Sequence, residues 1–397
     1  MRAVLVSSHT GHAVGWDEAR ELAYVAAEPL RPRAVPLAQA LGTVLAEPLI
    51  APAAFPPCDR SAMDGYAVRG PGPWMVIGTI RAGSNSPGRL TDGQAMAVVT
   101  GAAVPLGTYA VLPDEDVLRE GDRVHGTVGP KRHIRYAGEE CRAGEVLLPA
   151  GTPIRAAVLG HAAALGLDHL TVIPRPRVAA LVTGDELVTS GMPGPGRTRD
   201  AIGPMLPGLL HQATALPLRR VPDSRQRLVT ALAGAEADLI LVSGSSAAGP
   251  ADHLRPALDS LGASLLVDGV ACRPGHPQAL AILPDGRLVI GLPGNPLAAL
   301  TAFLTLAVPA IAGLRGEPLA FLPTAPIRGG LDCHPASTRL VPVRLRDGAA
   351  EPVGHGGSAM LRGVAMADAL AVVEPGPATA ITARLLPLTQ GEHSWGV

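Results

Sequence analysis

Three apolar runs in this chain each end in a turn that carries glycine: AALVTGDELV at 179–188, LILVSGSSAAG at 239–249 and LVIGLPGNP at 288–296. None of them alternates apolar with polar positions, which predicts strands covered on both faces, as in a parallel sheet flanked by helices. From Arg177 to about Leu314 the pattern runs strand 178–183, helix near 204–214, strand 217–221, helix 223–233 and strand 238–243. It continues with helix 252–261, strand 264–268, strand 287–292 and helix 296–307. This alternation predicts a layered α/β domain over 174–322 with a mostly parallel sheet. The turns after such strands face one crevice, into which backbone N–H groups and helix N-termini point.

The rest of the chain follows other rhythms. Residues 16–49 read as two amphipathic helices, with Asp17 and Glu18 in a first turn and Gly42 at a break. Over 53–134 short Val/Ile/Ala runs are cut by Gly, Pro, Asn and Asp, which predicts a small β domain. A helix returns over 156–165, with Thr152 as N-cap, Pro153 in the first turn and Gly166 ending it. The helical stretches therefore flank the β segment and predict a discontinuous helical domain (1–52 and 135–173) with a β insertion, closed by the Pro-stiffened linker 172–178. A Pro/Gly-rich connector at 316–330 leads into a last β module over 323–397. The expected fold class is thus multidomain α/β and β.

A chain of 397 residues exceeds one ordinary core, so two to four domains are expected. The formal net charge of -1 gives no reason to expect nucleic acid or an anionic membrane as partner. Basic residues are almost all arginine, with Lys131 the single lysine, so an arginine in a lysine's place carries little information. The four cysteines form no C-x-x-C and fit a reducing cytoplasm better than a zinc or disulfide framework. The uncharged run 297–314 contains Pro309 and follows a Pro-Gly-Asn-Pro turn, which favours a buried core helix over a membrane span.

Carboxylates gather at the strand ends: Asp185 and Glu186 after the first strand, Asp200 in the next connection, then Asp223 and Asp252 before helices. Beside backbone amides they make sense if Mg²⁺ bridges them to phosphate oxygens. Asp223 and Asp252 also suit plain helix caps. The turn GSSAAG at 244–249 is a reasonable anion nest and not a G-x-S-x-G elbow, because two residues separate Ser246 from Gly249. LPGNP puts Pro296 at a first helical position and leaves Gly294 free for positive φ. In the first half, PPCDRSAMDGYAV at 56–68 concentrates Asp59, Ser61 and Asp64, and Glu139 and Glu140 mark a second polar turn. Arg273 and His276, in ACRPGHP, supply positive charge opposite the carboxylates.

Taken in order, PPCDRSAMDGYAV, TGAAVP, GEECRAGEVLLPAGTPI, TGDELV, DAIGPML, CRPGHP and GLPGNP resemble the molybdopterin molybdenumtransferase family, the MoeA proteins and the E domain of gephyrin. The resemblance covers essentially the whole chain. It implies a four-part subunit, a homodimer with a cleft shared between protomers, and Mg²⁺-dependent insertion of molybdate into adenylylated molybdopterin with release of AMP. Matched motif to motif, Asp59, Glu140, Glu186, Asp223 and Asp252 take catalytic places, the last three as metal ligands. Asp64, Thr100, Ser245, Ser246, Gly294 and Asn295 fall among substrate contacts, joined by Arg273 and His276, where the family usually has lysines. The middle turn departs from the family's Gly-Gly-Val-Ser-Val-Gly stretch, and Ile202 and Ala298 replace an Asn and a Ser. Two readings follow: an active, divergent transferase, or a binding protein of the same fold that holds molybdopterin or the finished cofactor with little or no turnover.

Overall fold

The computed structural model describes residues 13–84, 88–244 and 252–388. The chain divides into two compact units, one formed by residues up to Arg33, Gly42–Val44 and Ile173 onward, the other by Ala34–Leu41 and Leu45–Val172.

The first unit is built on the predicted α/β sheet. Its strands run in the order Thr214–Ala215, Arg177–Thr183, Leu239–Ser243, Leu288–Leu292, Ala279–Ile282, Ser264–Asp268, with Arg219–Val221 also paired to Arg177–Thr183. Pairings are parallel up to Leu288–Leu292 and antiparallel beyond it. The apolar runs are continuous because both faces are covered. Val178, Ala180, Leu239, Leu241 and Ile290 enter one core; their neighbours Ala179, Leu181, Ile240, Val242 and Val289 enter the other.

Ala279–Ile282 is a strand absent from the pattern-based reading. It forms a hairpin with Leu288–Leu292 through Leu283-Pro-Asp-Gly-Arg287, and Pro-Asp-Gly is a recognised turn signal. Residues 296–314 are a buried helix that runs through Pro309. One turn, Phe303–Ala307, opens to π geometry ahead of Pro309, whose ring and missing N–H disrupt the bonding of an α-helix. By length and mean hydropathy of 2.1 this helix could cross a membrane, yet 94% of its apolar window is buried within the fold. It packs against the helix Trp16–Ala26, where Trp16 Nε1 donates to Thr305 Oγ1 at 3.0 Å.

The predicted pair of amphipathic helices over 16–49 is therefore one helix. The second is a single turn, Leu37–Ala40, between short strands. The expected linker shrinks to 174–176, since Ile173 and Arg177 end and begin strands.

Downstream, strands Thr338–Arg346, Ala349–Pro352, Thr324–Asp332, Thr379–Pro387 and Ala369–Val373 close into a barrel, because the first also pairs with the last. Ala325, Ile327, Val343, Ala371 and Leu385 fill it. A two-residue strand, Cys272–Arg273, runs parallel to Thr338–Arg339 and ties the barrel to the α/β sheet.

The second unit contains a six-stranded mixed sheet made from the predicted β segment. Its other core gathers Val35, Leu45, Leu49, Ile154 and Leu170 beside the helix Ala156–Ala164. Thr152 does not cap that helix. Its hydroxyl donates to Pro149 O at 2.7 Å and closes a turn, while Arg155 takes the cap position.

Candidate functional site

The parallel register brings the three turns side by side. Val182 is level with Ser243, and Ser243 with Leu292, so Gly184, Gly244 and Pro293 leave the sheet at one edge. Thr183 Oγ1 crosses between the first two turns and donates to Ser243 O at 2.8 Å. Gly244 adopts φ +88, and Gly294 is its neighbour across the turns, where a Cβ would lie in ordinary contact at 3.8 Å from Gly244 Cα. Gly294 itself is not left-handed, contrary to the expectation from the motif, and a Cβ there would make only an ordinary contact, so neither backbone strain nor crowding explains a glycine at this position. Ser245 and Ser246 lie outside the described residues.

The carboxylates separate into different roles. Asp185 and Asp223 bracket each other: Asp185 N donates to Asp223 Oδ2 at 2.9 Å, and Asp223 N to Asp185 Oδ1 at 3.3 Å. Asp200 caps the helix Ile202–Leu209 through the amides of Ile202 and Gly203 and pairs with Arg220 at 2.7 Å. Asp252 accepts from Leu254 N at 3.0 Å and pairs with Arg255 at 2.5 Å, its side chain only 5% exposed. Asp223 and Asp252 line one cavity of about 10 Å³, room for a water at most. Glu186 is exposed on the neighbouring turn. Among the described residues no three His, Cys, Asp or Glu side chains gather to hold a metal, so Glu186, Asp223 and Asp252 do not form a preformed three-ligand cage.

The pairing of Asp252 changes what its removal does. Asp252→Ala is expected to cost about 2 kcal/mol of stability, because it leaves Arg255 with Asp268 alone and strips a helix terminus of its acceptor. A urea midpoint unchanged from the parent chain would show that the ion pair is incidental.

A separate cavity of about 640 Å³ carries the positive charge. Parallel pairing sets Arg273 level with Arg339, and both line this space with His276, Asn295, Ser337 and Ser358. Like charges placed side by side on adjacent strands repel, unless an anion lies between them. His276 is tied by Nδ1 to Val270 O at 2.8 Å. A carbonyl only accepts, so Nδ1 carries the proton and Nε2 is left for other partners. The loop beneath is held from inside: fully buried Gln278 donates through Nε2 to Gly275 O at 2.8 Å, and the Thr301 hydroxyl lies between two carbonyls, Ala298 O at 2.8 Å and Pro274 O at 3.1 Å. Cys272 also borders the cavity, but burial pushes its thiol up to about 12, only partly offset by Gln278, so it stays protonated and is no nucleophile.

Asn295 donates through Nδ2 to Ser358 Oγ at 3.3 Å, and Ser358 O accepts from the amides of Leu297 and Ala298 at 2.9 and 3.1 Å. The start of this helix is thus capped from the barrel side, and the anion-binding character of the cavity comes from side chains. Ser337, Arg339 and Ser358 carry no local sequence signal. They arrive from more than 60 residues away only because the barrel pairs with Cys272–Arg273.

In the second unit Asp64 and Thr100 meet. Asp64 Oδ1 accepts from Thr100 N at 2.6 Å and Thr100 Oγ1 at 3.0 Å, which holds the carboxyl below its ordinary value. Asp59 Oδ1 accepts from Ala137 N at 2.8 Å, and Glu140 lies 3.2 Å from His161 Nδ1.

Comparison with known proteins matches three stretches of the chain. The descriptions "MoeA N-terminal region (domain I and II)", "Probable molybdopterin binding domain" and "MoeA C-terminal region (domain IV)" match residues 14–166, 179–313 and 324–380. The molybdopterin molybdenumtransferase of Nostoc sp. is 36% identical over 301 residues, 71% of this chain and 69% of the relative. Molybdopterin molybdenumtransferase 2 of Mycobacterium tuberculosis is 35% identical over 326 residues, 74% and 78% of the two chains. This chain belongs to the molybdopterin molybdenumtransferase family. The crystal structure of the MoeA protein from Pyrococcus horikoshii shares the fold, with a TM-score of 0.75 at 25% identity over 94% of this chain and 99% of the other. As a member of the MoeA family, the chain falls within molybdenum cofactor biosynthesis.

Proposed function

We propose that this chain inserts molybdate into adenylylated molybdopterin with release of AMP, and that the cavity around Arg273 and Arg339 receives the oxyanion. The observation that carries the reading is the register of those two arginines. Two arginines level in register on parallel strands, lining one cavity with His276, Ser337 and Ser358, suit an oxyanion. Charge that develops as a phosphoanhydride opens would be stabilised by the same preorganised donors. Asn295, bonded to Ser358, would hold the far wall of the cavity in place.

The Mg²⁺ that the family resemblance implies fits this chain only as an ion shared with substrate phosphates, since Mg²⁺ commonly takes one or two protein carboxylates and completes its shell with phosphate and water. Glu186 and Asp223 would hold it, neutralising phosphate oxygens; Asp252, committed to Arg255, would act by ordering the helix that follows. Asp59, Asp64, Thr100 and Glu140 stand in the second unit, and their part in the reaction belongs with the homodimer of shared cleft. In that reading Asp59 and Glu140 orient water or protons, and Asp64 holds Thr100.

Purified protein given adenylylated molybdopterin, molybdate and Mg²⁺ is expected to release AMP, measured by chromatography. Stoichiometric ligand binding with no AMP above the protein-free control would overturn the transferase reading and favour a binding protein of the same fold.

A further inference from the structure

Three consecutive carbonyl groups on the loop that carries Arg273 and His276 are taken up from inside the protein. Pro274 O lies 3.1 Å from the Thr301 hydroxyl and accepts from the Cys272 thiol at 3.5 Å. Gly275 O accepts from Gln278 Nε2 at 2.8 Å, and His276 O accepts from the amides of Val270 and Gln278 at 3.0 and 2.9 Å. Gly275 is pressed onto this layer: it adopts φ +108, and a Cβ there would meet Thr301 Oγ1 at 2.5 Å. Gln278 Nε2 also donates to Cys272 Sγ at 3.3 Å, so one amide group ties two points of the loop together. The other end of that amide is less well placed. Gln278 is fully buried, and its Oε1 has no hydrogen-bond partner among the described residues. A buried acceptor left unpaired costs stability, and an apolar side chain of the same length would fill the space without that cost. Stability alone therefore does not account for an amide at this position.

We propose that Gln278 is a positioning residue for the anion cavity: its amide draws the loop's carbonyl oxygen into the core, so that Arg273 and His276 meet an oxyanion with no carbonyl dipole beside them. The inference rests on the reading that the cavity around Arg273 and Arg339 receives the oxyanion. Pro274 and Gly275 both line that cavity, and a carbonyl oxygen facing it would repel an anion, since it can only accept. No carboxylate is among the described lining residues. With the carbonyls held inward, the polar wall consists of the two arginines, His276, Asn295 and hydroxyl groups, all of which can donate. Gln278 itself touches no anion and acts through the loop.

Equilibrium dialysis of the full chain against molybdate, between pH 6 and pH 9, tests it. The parent chain is expected to bind, and Arg273→Gln to lose most of that binding. Gln278→Met keeps the length of the side chain but has no donor, and should bind about fivefold more weakly with a urea midpoint no lower than the parent's. Gln278→Glu carries a signature that a merely structural role lacks. Its protonated carboxyl has an O–H for Gly275 O, whereas the ionised form only accepts. Its affinity relative to the parent at the same pH should therefore recover as the pH falls. Parent-like affinity in Gln278→Met, or a Gln278→Glu ratio that stays constant across the range, would overturn the proposal and leave the cavity reading standing, provided that Arg273→Gln weakens binding. Binding that ignores Arg273→Gln, or is absent from the parent chain, would overturn the cavity reading and this proposal with it. Gln278→Glu matches the parent side chain in shape and decides the matter if Gln278→Met fails to fold.

Discussion

Arg273→Gln is expected to lower kcat/KM for AMP release by about 100-fold while leaving the folded state as stable as before, or slightly more stable. The two effects have opposite sign because one geometry produces both. Arg273 is exposed, and its Cα is level with that of Arg339 on the neighbouring strand, so its charge opposes folding and favours an anion. Arg339 is less free to move, since one of its nitrogens also donates to Asp332 O; Arg339→Gln should therefore cost activity and some stability together. Arg273→Lys should restore most of the lost rate, because a point charge remains, whereas the neutral glutamine restores none. His276→Lys adds a fixed charge in place of a titratable one and should tighten molybdate binding if Nε2 faces the anion. Steady-state kinetics and a denaturation curve on the same preparations check these outcomes. A rate loss matched by an equal loss of stability would mean that Arg273 is structural.

Gly244→Ala should destabilise the first unit by about 3 kcal/mol or more and abolish turnover with it. Two costs add. The residue sits at φ +88, where a side chain is strained, and a Cβ would meet Thr183 Oγ1 at 2.4 Å and Thr183 O at 2.9 Å. Thr183 cannot retreat easily, because its strand is paired on both sides and its hydroxyl bridges to Ser243 O. The double variant Thr183→Ala/Gly244→Ala removes the hydroxyl clash but not the backbone one, so it should recover part of the loss. The urea midpoints of the two single variants and the double variant measure this. Full additivity would show that the two turns do not touch.

The three strand-end turns were legible in the sequence because buried parallel strands write themselves as unbroken apolar runs, and glycine marks where the chain must turn tightly. The chain's place in its family was legible for a related reason, since long motifs such as SAMDGY and GLPGNP survive as contiguous strings. Local pattern misled where neighbours decide the outcome. Residues 37–49 have helical spacing but form one turn between strands. Thr152 and Pro153 look like a helix start, yet the threonine hydroxyl prefers the Pro149 carbonyl. The Ala279–Ile282 strand was missed although Pro-Asp-Gly announced its hairpin.

The charge balance of the candidate site was beyond sequence reading. Five acids near strand ends look alike in one dimension, and only folding shows that Asp200 and Asp252 are neutralised by Arg220 and Arg255 while Asp185 and Asp223 bind each other's amides. Sequence by itself determined the family, the buried strands and the glycines at their ends, all properties set by neighbours along the chain. Tertiary structure alone decided which charges stand unpaired, because Arg339 and Ser358 meet Arg273 and Asn295 only through pairing across more than 60 residues. A charge has chemical meaning only in relation to what lies within a few ångströms of it, and that distance is not written in one dimension.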